Sequence, residues 1–318
     1  MTDREIAGLA VRALILEASL APKPGLVTPY DNGSHKDMDY AMLKESAFAL
    51  SRCFMECAAA GRSAARRAPA DCRDALREAG LAGEADMYRA TGGVNTHKGA
   101  IYLLGFLCAA LGRLQIQARP PDDPGDTSPQ GLARTAGAFV QGVVERELLP
   151  LTTRRPSTAL TAGERAYLAL RFTGARGEVE GGYTLTLSAL SFLRGRLASM
   201  LFDEALADTL FYIVARNGDT VLWARGGPEG IKTARELAEK ILLDGGISTE
   251  QGRETIRLAE KVFVEKNLSP GGSADILSSA IFLDSAEGVR PAGARDCRDV
   301  FRSGRKRITE LDRQEVLY

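Results

Sequence analysis

The stretch that most restricts how this chain can fold is apolar on almost every side. Leu103, Leu104, Phe106, Leu107, Ala110 and Leu111 cover the circumference of a helix expected over about 97–113. A helix without a solvent face must be surrounded, and helical periodicity elsewhere supplies the neighbours. Ile6, Leu9, Ala10, Ala13, Leu16 and Leu20 recur at 3.6-residue spacing over 3–20. Further helices are expected at about 40–60, 70–89, 128–148, 160–172, from 185 on, up to Arg216, and at 229–243, 248–265 and 276–282. No adjacent segments alternate as paired strands do, and no repeat period is evident. The expected fold is all-α, a compact multi-helix globule with glycine-rich functional loops between helices.

Charge narrows the partners. The 41 basic and 41 acidic residues cancel, so there is no footprint for duplex nucleic acid, and any basic site must be local and aimed at a small anion. The five cysteines are odd in number and form no C-x-x-C, which fits reduced, mostly buried thiols and a cytoplasmic location. No signal core and no apolar run of membrane-spanning length occurs. The proline-rich segment at 115–127 is a candidate sub-lobe boundary. The expected organisation is a catalytic domain over 1–285 and a polar tail over 286–318.

The chemistry lies between the helices. Thr91–Ala100 packs three glycines, His97 and Lys98 ahead of the apolar helix. Glycines admit backbone N–H groups to a ligand, and a helix N-terminus favours negative charge. The stretch therefore suits a phosphate, and equally an ordinary cap by Asn95 or Thr96. Glu17 lies eleven residues after Ile6, about three turns along the same face, so it points inward, either toward a functional loop or toward a core arginine. After Pro22-Lys23-Pro24-Gly25, a long loop carries Asn32, His35, Lys36, Asp37 and Asp39. Loops this loaded are commonly functional, although Asp37 or Asp39 could instead cap the next helix. Thr173–Gly182 sets Glu178 and Glu180 among four glycines and Arg176. If extended, the two carboxylates share a side, suiting metal binding or acid/base work; otherwise the segment is a solvated turn. Asn217–Thr220 and Arg225–Pro228 read as turns around a short apolar piece. Asn267–Asp275 again pairs glycines with capping residues before a helix.

Several machines are missing: there is no Walker A, no G-x-G-x-x-G, no G-x-S-x-G and no H-E-x-x-H. Cations with glycines suit a polyphosphate, and carboxylates suit Mg²⁺ and proton transfer. Together they suggest an enzyme acting on a nucleoside triphosphate without a P-loop.

Glu17–Val27, Asn32–Asp39 and Gly93–Ile101 resemble the triphosphoribosyl-dephospho-coenzyme A synthase family. Gly177–Glu180, Asp219-Thr220 with Arg225–Gly227, and Ser269–Asp275 extend the likeness in the same order, over about residues 5–285. Val221 stands where the family often has Asn. The resemblance implies a transferase that joins the triphosphoribosyl group of ATP to the 2′-hydroxyl of 3′-dephospho-coenzyme A and releases adenine. The product would pass to an enzyme modifying an acyl carrier protein of citrate lyase or malonate decarboxylase.

On that reaction, Lys23, Gly93, Asn95, His97, Lys98, Arg225, Gly226, Gly271 and Gly272 are expected to hold ATP and its phosphates. Asp37, Glu178, Glu180 and Glu17 are the expected catalytic carboxylates. Asp37, Asp39 and Asp219 are the expected ligands of Mg²⁺, and Asn32, His35, Ser269 and Asp275 are further site candidates. The rival readings are a kinase-like phosphoryl transferase and a non-catalytic ATP-binding regulator. A homodimer is left open.

Overall fold

A computed structural model describes residues 1–115, 126–153 and 160–287. Every regular element among them is helical. The expected linker at 115–127 and the tail beyond 287 fall largely outside the described residues, as does Cys297.

The apolar helix is α5 (Lys98–Leu114), with buried residues in every turn. The other helices are α1 (Asp3–Ala18), α2 (Tyr40–Ala49), α3 (Ser51–Ser63), α4 (Arg73–Ala90), α6 (Pro129–Val140), α7 (Ala162–Leu170), α8 (Gly174–Glu180), α9 (Thr184–Leu197), α10 (Phe202–Val214), α11 (Thr220–Leu243), α12 (Glu250–Glu265) and α13 (Gly271–Glu287). Helices α1, α3, α4, α6 and α13 all pack against α5.

The α3–α5 contact is the tightest, and two glycines account for it. A Cβ on Gly61 would overlap the Ala109 carbonyl, and one on Gly112 would overlap the Ala58 carbonyl. Each helix therefore offers a bare backbone patch to the other, which brings many atoms into dispersion contact. Around this pair one apolar core runs from Ile6 to Leu283. Cys53, Cys57, Cys72 and Cys108 are free and buried in it, as inert core thiols are.

Four local expectations need correction. The helix expected over 40–60 is two helices meeting at Leu50. The helix expected over 128–148 ends at Val140, where Gly142 takes a positive φ of 77°. The segment around Glu178 and Glu180 is neither extended nor a solvated turn but helix α8, so the two carboxylates point in different directions. The apolar piece 221–224 is the first part of α11. That helix breaks at Gly227 (φ 58°, ψ −158°), followed by Pro228. Only glycine adopts that backbone readily, and proline begins the second part where no N–H is needed.

Candidate active site

The first and last loops of the fold meet. Ser34 donates its hydroxyl to the Phe263 carbonyl (3.0 Å). Arg225 Nη2 donates to His35 Nδ1 (3.1 Å), leaving His35 Nε2 to donate to Ser269 Oγ (2.8 Å). The ring is therefore neutral. Burial, then the Arg225 guanidinium, pulls its pKa below the ordinary value. Arg225 also donates to the Ser34 carbonyl and to Asn267 Oδ1 (both 3.0 Å). Asp37 sits 3.5 Å from His35 Nδ1 with its side chain 58% exposed, and Asp39 is the N-cap of α2. This assembly joins three segments far apart in sequence, and most of its polar atoms are already satisfied by one another.

A second group lies deeper. Glu17 closes the last turn of α1, and Lys23 returns over it. Its Nζ donates to Glu17 Oε1 (2.8 Å) and to the Glu17 carbonyl (2.7 Å), both side chains being buried. Glu17 thus has the core partner that its inward position requires, a lysine rather than an arginine. His97, the N-cap of α5, is buried with Nδ1 bonded to Ser46 Oγ (2.8 Å). Burial, aided by the Lys23 charge, pushes its pKa down to about 4.

Asp219 joins two helix N-termini. It accepts from Val221 N, Leu222 N, Gly272 N, Ser273 N and Ser273 Oγ, at 2.8–3.3 Å. Ser273 Oγ itself accepts from Asn217 Nδ2, so its hydrogen goes to the carboxylate. Burial pushes the Asp219 carboxyl up while these donors pull it down. Two N–H groups at the start of each of α11 and α13 are therefore given to Asp219. Asp275, one turn into α13, lies against Gly99, where a Cβ would overlap its Oδ2. Its carboxyl is pushed well above the usual range by burial, then by Glu17 and Asp219; the Ala100 N–H opposes this.

Above this group opens a cleft of about 1540 Å³. Asn95, Lys98, Gly99, Glu178, Asp219, Gly272 and Asp275 line it. Among the expected site residues, Glu17, Lys23, Asn32, His35, Asp37, Asp39, Gly93, His97, Glu180, Arg225, Gly226, Ser269 and Gly271 do not. They form the floor and the loop assembly beside it. Lys98 reaches Glu84 (2.7 Å) with its side chain about half exposed. Glu178 accepts from Thr186 N and Oγ1 (both 2.8 Å), holding the start of α9. Glu180 accepts from Gly142 N and Val144 N, tying α8 to the turn after α6.

The cleft also has cations that were not among the expected phosphate ligands: Arg73, Arg77, Arg146, Arg171, Arg176, Arg216 and Arg235. Arg77 follows Arg73 by one helical turn, a spacing that could have flagged a basic face. The others come from separate elements, and nothing in their sequence neighbourhood links them. Arg235 Nε is buried without a hydrogen-bond partner among the described residues. A buried unpaired guanidinium N–H is costly unless a ligand completes it.

Among the described residues, no three His, Cys, Asp or Glu side chains come together as a metal cage. Of the three expected Mg²⁺ ligands, Asp37 has an exposed side chain, Asp39 gives one carboxylate oxygen to the Met42 N–H, and Asp219 accepts from five donors. No described helix is long and apolar enough to cross a membrane.

A family model described as CitG, ATP:dephospho-CoA triphosphoribosyl transferase, matches residues 3–292. A Citrobacter koseri protein named as the probable 2-(5''-triphosphoribosyl)-3'-dephosphocoenzyme-A synthase is 43% identical over 277 residues, covering 86% of this chain and 88% of that protein. An Archaeoglobus fulgidus crystal structure with the provisional name triphosphoribosyl-dephospho-coA synthase covers 74% of this chain and 99% of its own, at 19% identity and a TM-score of 0.46. That structural likeness adds nothing to the assignment, which the two sequence matches carry. The chain belongs to the ATP:dephospho-CoA triphosphoribosyl transferase family.

Proposed function

We propose that the chain transfers the triphosphoribosyl group of ATP to the 2′-hydroxyl of 3′-dephospho-coenzyme A, releasing adenine. The observation that carries this reading is the cleft. Single-ligand pockets are typically about 300–1,000 Å³, and a cleft of about 1540 Å³ has room for two nucleotide-sized substrates. Its lining carries cations from α4, α5, α8 and α11 and from the segments between helices. That supply suits one triphosphate and one diphosphate held together.

In this reading Lys98 and the arginines position the triphosphate without activating a phosphoryl group, because the bond that breaks is C1–N9 of the ribose. Positive charge builds on the ribose in the transition state, and carboxylates in the cleft stabilise it. The hydroxyl oxygen bonds to C1, its proton leaves, and adenine gains one. Mg²⁺ arrives with ATP, bound mainly by substrate phosphates. Glu17, Lys23, His97, Asp219, Glu178 and Glu180 hold the floor and walls. Arg225, His35 and Ser269 hold the loops beside the cleft. We also assign the protein to the cytoplasm, where ATP and coenzyme A precursors are at hand. Its product, a nucleotide with an intact triphosphate leaving group, suits an enzyme that attaches it to a carrier protein.

The test is free adenine. Purified protein with ATP, Mg²⁺ and dephospho-coenzyme A should release adenine only when both nucleotides are present. Formation of ADP or AMP instead would favour a phosphoryl transferase and overturn the reading.

A further inference from the structure

On the proposed reaction, we infer that Asp275 is the catalytic acid that protonates adenine as it departs. All but one of the other cleft-lining carboxylates already have a partner. Glu84 pairs with Lys98, and Glu147 with Arg176. Glu164 closes a capping box with Thr161. Glu178 holds Thr186, and Asp219 takes five donors. Asp74 is exposed in the first turn of α4. Asp275 lines the cleft, and the Ala100 N–H is the one group that favours charge on its carboxyl.

Its surroundings keep a proton on it. Glu17 approaches from α1 and Asp219 from the start of α11, and both count against a negative charge at Asp275. Glu17 is committed to Lys23, and Asp219 accepts at both oxygens. On α5, His97 is neutral because of its burial and the Lys23 charge. Of these three carboxylates, Glu17 and Asp219 have hydrogen-bond donors at the carboxyl group. Asp275 has only the Ala100 N–H in its favour, and its burial beside two other acids favours the protonated form. Gly99 completes the arrangement: with no Cβ, it lets the carboxyl lie flat against the first turn of α5 where that turn enters the cleft.

The C1–N9 bond breaks with its electron pair going to the purine, and the Asp275 proton goes to a ring nitrogen, so adenine leaves neutral. The 2′-hydroxyl oxygen forms the new bond to C1. The proton it sheds returns through solvent to the Asp275 carboxylate, and the cycle is proton-neutral.

The test compares two substrates. ATP methylated at purine N7 already carries the positive charge that protonation would supply, and its base leaves neutral without an acid. With ATP, Asp275→Asn should lower kcat by roughly 10²-fold or more, the ordinary contribution of a positioned acid. With the N7-methylated substrate, wild type and variant should differ less than about threefold. Equal losses on both substrates would overturn the assignment and make Asp275 structural. The wild-type pH profile is a second reading that needs no variant: kcat with ATP should fall on the basic side as Asp275 loses its proton, and that limb should vanish with the methylated substrate. A limb identical for both substrates would also overturn it. If wild type releases no adenine from ATP and dephospho-coenzyme A, the proposed reaction fails first.

Discussion

Replacing Lys23 with methionine separates the phosphate ligand expected from its sequence from the buried counter-ion that it forms in the fold. Methionine keeps much of the side chain's length and removes the charge. The side chain is 1% exposed and that of Glu17 8% exposed, so the substitution leaves a carboxylate buried without its partner. Breaking a buried pair from one side costs about 3–5 kcal/mol. At about 2 °C per kcal/mol for a chain of this size, Tm should fall by about 6–10 °C. Adding Glu17→Gln removes the stranded charge. The Glu17 carbonyl keeps a donor, because Leu20 N also bonds to it (3.1 Å). The double variant should therefore recover most of the loss, ending within about 1–2 kcal/mol of wild type, in line with buried pairs replaced by neutral side chains. Thermal and urea melts of the four proteins give the cycle, and the ATP-induced rise in Tm gives affinity in the same samples. Because Lys23 does not line the cleft, ATP affinity in the folded variants should stay within about threefold. A Lys23→Met protein of wild-type stability whose ATP affinity has dropped tenfold would refute this account and restore Lys23 as a phosphate ligand.

His97 should make the fold acid-sensitive. Its folded pKa of about 4 lies below the unfolded value of about 6.5, so the unfolded chain binds more protons in that window. Stability is then full above pH 6.5 and falls by about 3 kcal/mol as pH drops toward 4; urea melts across this range should lose that slope in His97→Gln. Gly99→Ala would put a methyl group against Asp275 Oδ2. Steady-state assays should show kcat reduced at least about tenfold with ATP, while the helix-favouring exchange limits the change in Tm. Arg235→Gln should raise a substrate KM by about tenfold with Tm unchanged or higher, since its buried Nε has no described partner to lose. A wild-type KM for both substrates would remove Arg235 from the binding cleft.

Much of the architecture was readable because helical periodicity is a local signal. The surround of α5 followed from residues 101–111, and the inward position of Glu17 from its spacing to Ile6. The pairing of Glu17 with Lys23 was not readable, because it depends on how the chain folds back after the prolines. Helix α8 was missed because four glycines between 174 and 182 suggest a loop, whereas packing on α5 and α6 and the Glu180 contacts to 142–144 hold a short helix there. The turn at Asn217–Thr220 and the capping residues of Asn267–Asp275 were each visible in the sequence. That one carboxylate serves both helix N-termini is a tertiary fact with no local trace. The arginines of the cleft are the largest omission. They come from elements far apart in the chain, and only the fold makes them neighbours.

The central claim is that ATP is split at its glycosidic bond while its triphosphate stays whole. ATP carrying ¹⁴C in the purine ring and ³²P at the γ position, incubated with the protein, Mg²⁺ and dephospho-coenzyme A, reads both halves at once. The account predicts ¹⁴C in free adenine and an equal amount of ³²P in the coenzyme A product. Recovery of ¹⁴C as ADP or AMP, or of ³²P as free phosphate, would contradict it.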